Sequence, residues 1–444
     1  MHAAASGVLL GLNPLWLATV VMIVTYGVII SERLNRSIIA LLGAMLMVMF
    51  GLLTQEQAVA GVDFNTIGLL VGMMVIVSIT RKSGVFEYLA IWSAKLVKAN
   101  PSGILAMLAV VTAVVSALLD NVTTVLLVVP VTLVITEALK VNPYPFLFSQ
   151  ILASNIGGTA TLIGDPPNIL IGGQVGLSFN DFVINLAPVI AVILIVHVIS
   201  IHLIWGRGMA STAELRARVM AFDESEAITD ARLLKRASLV LALVIVAFVM
   251  ARSLGLESGT IGMAGAALLL MLDNLGKPAE HQSENVVKVY NEIEWITIFF
   301  FVGLFIVIAG VEHAGLLRLL ADQLLAATGG DFKVTGYSIL WSSAFLSAIV
   351  DNIPFVATMI PLIKSMAPAF GGADALMPLW WCLSLGACLG GNGTLIGASA
   401  NLTVAGIAER NGIPFRFMAY TRIAFPLMLI HVAICNVYVW WRYF

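Results

Sequence analysis

An all-α membrane fold made of two related, oppositely oriented halves is what this 444-residue sequence predicts, and three observations predict it. The composition is 60% hydrophobic and only 11% charged, with a mean hydropathy of +1.00, whereas an average soluble domain is roughly 25% charged. Apolar runs long enough to cross a hydrocarbon core of about 30 Å recur along the whole length. The second half also repeats the first. Asp63-Phe64-Asn65-Thr66-Ile67, with Gly72 and Gly84, aligns with Glu294-Trp295-Ile296-Thr297-Ile298, with Gly303 and Gly315. Ser116 to Asn121, with Pro130, aligns with Ser347 to Asn352, with Pro361, at the same spacing of 231 residues. Gly157–Asn168 aligns with Gly390–Asn401 at a spacing of 233.

In chain order, apolar runs set between polar breaks predict ten crossings: 14–30, 37–53, 65–80, 146–172, 182–204, 237–252, 259–275, 293–309, 379–408 and 417–440. The first lacks a basic leader and a small-residue cleavage site, so it reads as a retained helix. Two longer stretches, 102–139 and 336–370, each carry an Asp-Asn pair at the middle and read as re-entrant hairpins. Irregular backbone at membrane depth survives only where protein or a water-filled cavity surrounds it. Val85–Lys98 and Glu312–Thr328 read as amphipathic helices at the interface. Most of the 23 Lys and Arg residues, Arg33, Arg36, Arg81 and Lys82 among them, fall in cytoplasmic segments if the N-terminus lies outside, as the positive-inside rule requires. Residues 1–205 then form the first repeat, 206–236 a solvated cytoplasmic link, and 237–444 the second repeat. Five crossings per half is an odd number, so the second copy stands upside down, and such repeats place a solute site near the bilayer midplane.

Two motif pairs carry the chemistry. Asp120-Asn121-Val122-Thr123-Thr124 and Asp351-Asn352-Ile353-Pro354 sit at the hairpin tips. An ionised carboxylate within a membrane faces a cavity, a partner or an ion path, because hydrocarbon cannot solvate it. Asp and Asn also suit the turn itself, capping the returning helix. The second pair, Ser154–Asn168 and Cys388–Asn401, is too rich in glycine, and in the first copy proline, to hold a continuous helix. A broken span exposes amides at one half-helix start and carbonyls at the other half-helix end. Candidate solute ligands are Asn121, Thr123, Asn155, Gly157, Gly158, Thr159, Thr161, Asn168, Asn352, Gly390, Gly391, Asn392, Thr394 and Asn401; candidate proton carriers are Asp120, Asp351 and Asp165. The copies differ: Asp165 becomes Ala398, Asn155 becomes Cys388 and Thr159 becomes Asn392.

Other residues read more plainly. Cys388 is a small apolar filler before it is a thiolate ligand. His197, His202 and His431 lie in spans and read as interhelical donors without mirrored partners. Glu87, Glu137, Glu257 and Glu312 fall near span ends as solvated or snorkelling groups. The three cysteines make no disulfide or metal spacing, no phosphate-binding Gly-x-x-x-x-Gly-Lys motif is present, and no catalytic triad or basic nucleic-acid patch stands out. The sequence therefore calls for no cofactor or resident metal, and for transport rather than enzymatic chemistry.

In Asp120–Thr124 with Pro130, and in Gly157–Asn168, the chain resembles the arsenite permease, sodium/proton antiporter and P-protein branch of the ion transporter superfamily. The likeness runs over nearly the whole chain. It implies a scaffold part and a transport part made of hairpins and broken helices in a bacterial inner membrane. Dicarboxylate relatives carry Ser at the tip positions held here by Asp120 and Asp351, which disfavours an anionic substrate. The resemblance implies efflux of arsenite or antimonite against inward protons, with sodium/proton antiport as the alternative. It also allows for a homodimer and for a separate arsenite-stimulated ATPase docking on the 206–236 link.

Overall fold

The computed structural model describes residues 8, 11–31 and 33–444, and every regular element among them is helical. The first half contains α1 (Pro14–Ile30), α2 (Arg36–Met49), α3 (Gln55–Ala60), α4 (Phe64–Arg81), α5 (Val85–Leu96), α6 (Pro101–Leu118), α7 (Asn121–Leu139), α8 (Tyr144–Thr159), α9 (Pro166–Val175) and α10 (Phe179–Ile204). After α11 (Ala213–Met220) come α12 (Ala231–Val249), α13 (Ala251–Leu254), α14 (Ser258–Asn274), α15 (Ala279–Asn291), α16 (Trp295–His313) and α17 (Leu316–Ala327). The chain ends with α18 (Phe332–Ile349), α19 (Asn352–Ser365), α20 (Met377–Gly390), α21 (Ser399–Arg410) and α22 (Phe417–Tyr443). Helix starts follow local chemistry. Asn13 and Asn100 cap α1 and α6 ahead of a proline, and Asp63, Asp120, Asp331 and Asp351 accept amide hydrogen bonds that would otherwise be orphaned at α4, α7, α18 and α19.

Aside from the short α13, the second half restates the first element by element, α4 as α16, α6 and α7 as α18 and α19, α8 and α9 as α20 and α21, and α10 as α22. The equivalent helices α4 and α16 run in opposite directions. Gly61, just before α4, packs on Ala309 near the end of α16, while Ser78 and Arg81 at the end of α4 bond to Glu292 just before α16. Between lipid-solvated helices there is no hydrophobic drive to associate, so close van der Waals contact decides packing. The mirrored Gly72 and Gly303 supply it. A Cβ on Gly72 would lie 2.4 Å from the backbone of Gly262 on α14, and one on Gly303 would lie 2.5 Å from that of Ala40 on α2.

The helices sort into two groups. In one, α4 pairs with α14 and α16 with α2, flanked by α1 and α12. In the other, α6 packs on α8 and α18 on α20, backed by α10 and α22, and α7 meets α21 across the pseudo-symmetry. Six of the described helices, α4, α6, α7, α10, α16 and α22, are long and apolar enough on their own to cross a membrane. Residues 206–236 are mostly exposed yet tied to the helices: Val219 is buried, Thr229 donates its amide to Ser83, and Lys95 pairs with Glu224. That lysine's hydrogen bond holds the Glu224 carboxyl below its ordinary range. The polar segments 55–60 and 279–291, which a search for apolar runs passes over, form the matching helices α3 and α15.

Candidate functional site

The chain turns between α6 and α7 at Leu119–Asp120 and between α18 and α19 at Val350–Asp351. Asp120 caps α7 by accepting from the Thr123 amide at 2.8 Å and from the Thr123 hydroxyl, and Asp351 caps α19 through the Ile353 amide at 3.0 Å. Both spans also break. α8 stops at Thr159 and α9 starts at Pro166, while α20 stops at Gly390 and α21 starts at Ser399. The two breaks are held in the same way. Ser116 and Ser347 donate to the carbonyls of Ser154 and Ala387, Thr161 and Thr394 to those of Ala117 and Ala348, and Asn168 and Asn401 to carbonyls within their own break. Buried carbonyls freed by a break must be bonded somewhere, and these side chains do it. Thr159 bonds back to the Asn155 carbonyl at 2.6 Å. Gly157, Gly158, Gly390 and Gly391 let backbones touch: a Cβ on Gly157 would sit 2.0 Å from the Ala113 carbonyl, and one on Gly390 2.5 Å from that of Ala344.

Asn155 joins the halves. Its amide donates to Asn392 at 2.9 Å and Asn401 at 3.0 Å, and its carbonyl accepts from Asn121 at 2.9 Å. At the equivalent place, Cys388 reaches Asn168 at 3.6 Å beside Ser384, which donates to the same oxygen. Of the expected amide ligands, Asn121, Asn155, Asn392 and Asn401 thus meet at one buried hub, whereas Asn168 is held by its own break with Ser384 and Cys388, and Asn352 lies apart. The carboxylates are arranged differently. Asp120, Asp165, Glu294 and Arg36, with Asn121, Asn352, Thr297 and Ser399, line a cavity of about 20 Å³ between the hairpin tips. Asp165 is fully buried; its Oδ1 lies 3.3 Å from Asn121, and its Oδ2 has no partner, nor do Oδ1 of Asn121 and Nδ2 of Asn352. Arg36 donates to Asp351 at 3.0 Å, Ser399 at 2.7 Å and Thr297 at 3.3 Å, over the Phe300 ring.

Sequence reasoning missed Arg36 and Glu294. Arg36 passed as a topological charge in a short loop, yet it opens α2 and its side chain enters the cavity. Glu294 carried a signal that went unused, its alignment with Asp63: each acid bonds the Thr three residues on, Thr297 and Thr66. Asp63, with Glu257, Glu312 and Lys364, lines a second and larger cleft of about 580 Å³ at the opposite end of α4 and α16, so two of the acids read as solvated or snorkelling line this cleft. The histidines need a further correction. His197 and His431 lie on the equivalent helices α10 and α22 with ring centres 6.0 Å apart.

Residues 26–386 match the family model described as "Citrate transporter" (CitMHS). The chain belongs to this family, within the ion transporter superfamily. It is 41% identical over 431 residues to Uncharacterized transporter Rv2684 of Mycobacterium tuberculosis, covering 96% of this chain and 98% of that protein. It is 31% identical to the human P protein over 93% of this chain and 58% of that longer protein. Among solved structures, the Alcanivorax borkumensis YdaH transporter superposes with a TM-score of 0.60 at 12% identity, over 96% of this chain and 98% of that one. Neisseria gonorrhoeae MtrF, described among antimetabolite efflux pumps, gives 0.54 at 11% identity over 96% and 94%. At such identities these two establish the fold alone. A CitMHS-family chain with this architecture is a secondary transporter of a small molecule or ion in a lipid bilayer.

Proposed function

We propose that this transporter is a proton-coupled antiporter in which Asp120, Asp165 and Asp351 carry the proton. The observation behind this reading is the cavity at the hairpin tips, where four carboxylates meet one guanidinium and three buried polar atoms lack partners. Like charges so close cannot all stay ionised without a proton or cation between them. A space of about 20 Å³ holds roughly one water-sized species. A monovalent cation such as sodium fits it directly, competing with the proton for the same oxygens. An excess of carboxylates disfavours citrate and other di- or tricarboxylates, despite the family's description.

A second cargo, the neutral hydroxide of trivalent arsenic or antimony, is favoured by the uncharged hub of Asn121, Asn155, Asn392 and Asn401, whose amides suit such a solute once the halves separate. The surrounding frame is ten crossings, two re-entrant hairpins and an outside N-terminus. In it, the cleft at Asp63 and the cavity at Asp120 give access from opposite faces. The test is flux in liposomes holding the purified protein, with proton movement followed while sodium, arsenite and citrate are offered in turn. Proton flux evoked by sodium or arsenite supports the proposal. Citrate-evoked flux, or none from any of the three, overturns it.

A further inference from the structure

Arg36 belongs to the α2–α16 group, its guanidinium resting on Phe300 and bonded to Thr297 of α16. The groups it reaches, Asp351 at a hairpin tip and Ser399 at the start of α21, belong to the other group. The contact therefore bridges the two parts of the molecule that must shift for access to alternate. It is also one-sided. Gly43 of α2 and Gly265 of α14 hold matching places, each pressed on the preceding long helix at Thr25 or Val244, and seven residues earlier in each stand Arg36 and Ser258. At this matched position only the first copy carries a basic group; the base in the opposite cleft, Lys364, comes from α19 instead. Arg36 is also the sole basic side chain among the residues lining the cavity, against Asp120, Asp165 and Glu294 there and Asp351 beside it.

We propose that Arg36 is a tethered counter-ion: in the empty carrier its guanidinium takes the place of the transported cation at Asp351 and Ser399, and there it latches the two helix groups together. The inference rests on the antiport reading and deepens it. An arginine does not give up its proton inside a protein, so the latch opens from the carboxylate side, when Asp351 accepts a proton or a cation displaces the guanidinium. Released, Arg36 keeps Thr297 and Phe300 as resting partners on its own group. A carrier built this way does not cycle empty, and that property keeps an antiporter from leaking protons. The planar fork matters as well as the charge, because one nitrogen bridges Asp351 and Ser399 while the other holds Thr297. A lysine offers a point charge without that geometry.

The test uses the full chain in liposomes with no cargo present. One measurement is the decay of an imposed pH gradient; the other is labelling of Val122→Cys, a cavity-lining position, by a membrane-impermeant maleimide. The native cysteines are buried, which keeps the background low. Arg36→Gln raises the proton leak at least tenfold and speeds labelling, Arg36→Lys falls between it and the parent, and adding Asp351→Asn to Arg36→Gln raises the leak no further. Parent-like leak and labelling in Arg36→Gln, confirmed as folded by a monodisperse elution profile, overturn the latch. If Arg36→Gln does not fold, Arg36→Lys decides alone, parent-like values again counting against it. A cargo screen that evokes no flux, together with a raised leak, would sink the antiport reading and leave the latch standing; evoked flux with an unchanged leak does the reverse.

Discussion

At the scale of single residues, the site separates groups that hold the structure from groups free to act. Asn155 belongs to the first kind. It has no exposed surface and bonds to three other asparagines, two of them in the opposite half. Each partner orphaned by its removal costs about 1–3 kcal/mol, so Asn155→Ala lowers the Tm by many degrees in a detergent melt, whereas Asn155→Asp, which keeps the acceptor, is milder at low pH than at high pH. Asp165 is of the second kind, because nothing bonds its Oδ2. Asp165→Asn leaves the Tm within a degree or two of the parent and removes proton-coupled flux. The sequence made these residues visible through the repeat and the polar atoms in apolar surroundings. It could not show that Asn168 and Asn401 spend their amide hydrogen bonds on their own breaks while Thr161 and Thr394 spend theirs on the ends of α6 and α18, because that depends on where each carbonyl points.

At the scale of elements, the broken helices depend on backbone contact. Gly157→Ala forces a Cβ into the Ala113 carbonyl of α6, an overpacking that costs about 1–3 kcal/mol or more. Gly406, in α21 with open space around it, provides the control: Gly406→Ala raises stability by about 0.5–1 kcal/mol. Thermal unfolding in detergent distinguishes the two. The 206–236 segment is tied down by Lys95 and Glu224. Since that carboxyl titrates below its ordinary range, the contact holds through neutral pH and is lost as pH falls through the lowered value. Lys95→Ala therefore speeds trypsin cleavage after Arg216 and Arg218 at neutral pH. Helix starts, hairpin turns and both breaks were legible because Asp-Asn, Gly-Gly and Pro-Pro act locally. The helices α3, α11 and α15 were not, since polar helices owe their place to neighbours far along the chain.

For the whole molecule, opposite orientation follows from the contacts at the ends of α4 and α16, and it turns two similar sequences into two different cavities. One is small, acidic and latched by Arg36; the other is wide and lined by Asp63, Glu257, Glu312 and Lys364. The repeat was readable from aligned residues alone. The inequality of its two ends was not, because it rests on single positions, Arg36 against Ser258, that alignment of motifs passes over. The central claim is that the tip carboxylates of both halves move the proton. The direct measurement is cargo-evoked proton flux by Asp120→Asn and Asp351→Asn proteins inserted and folded in liposomes. Near-complete loss in each is the predicted result, and parent-like flux in both would contradict the account.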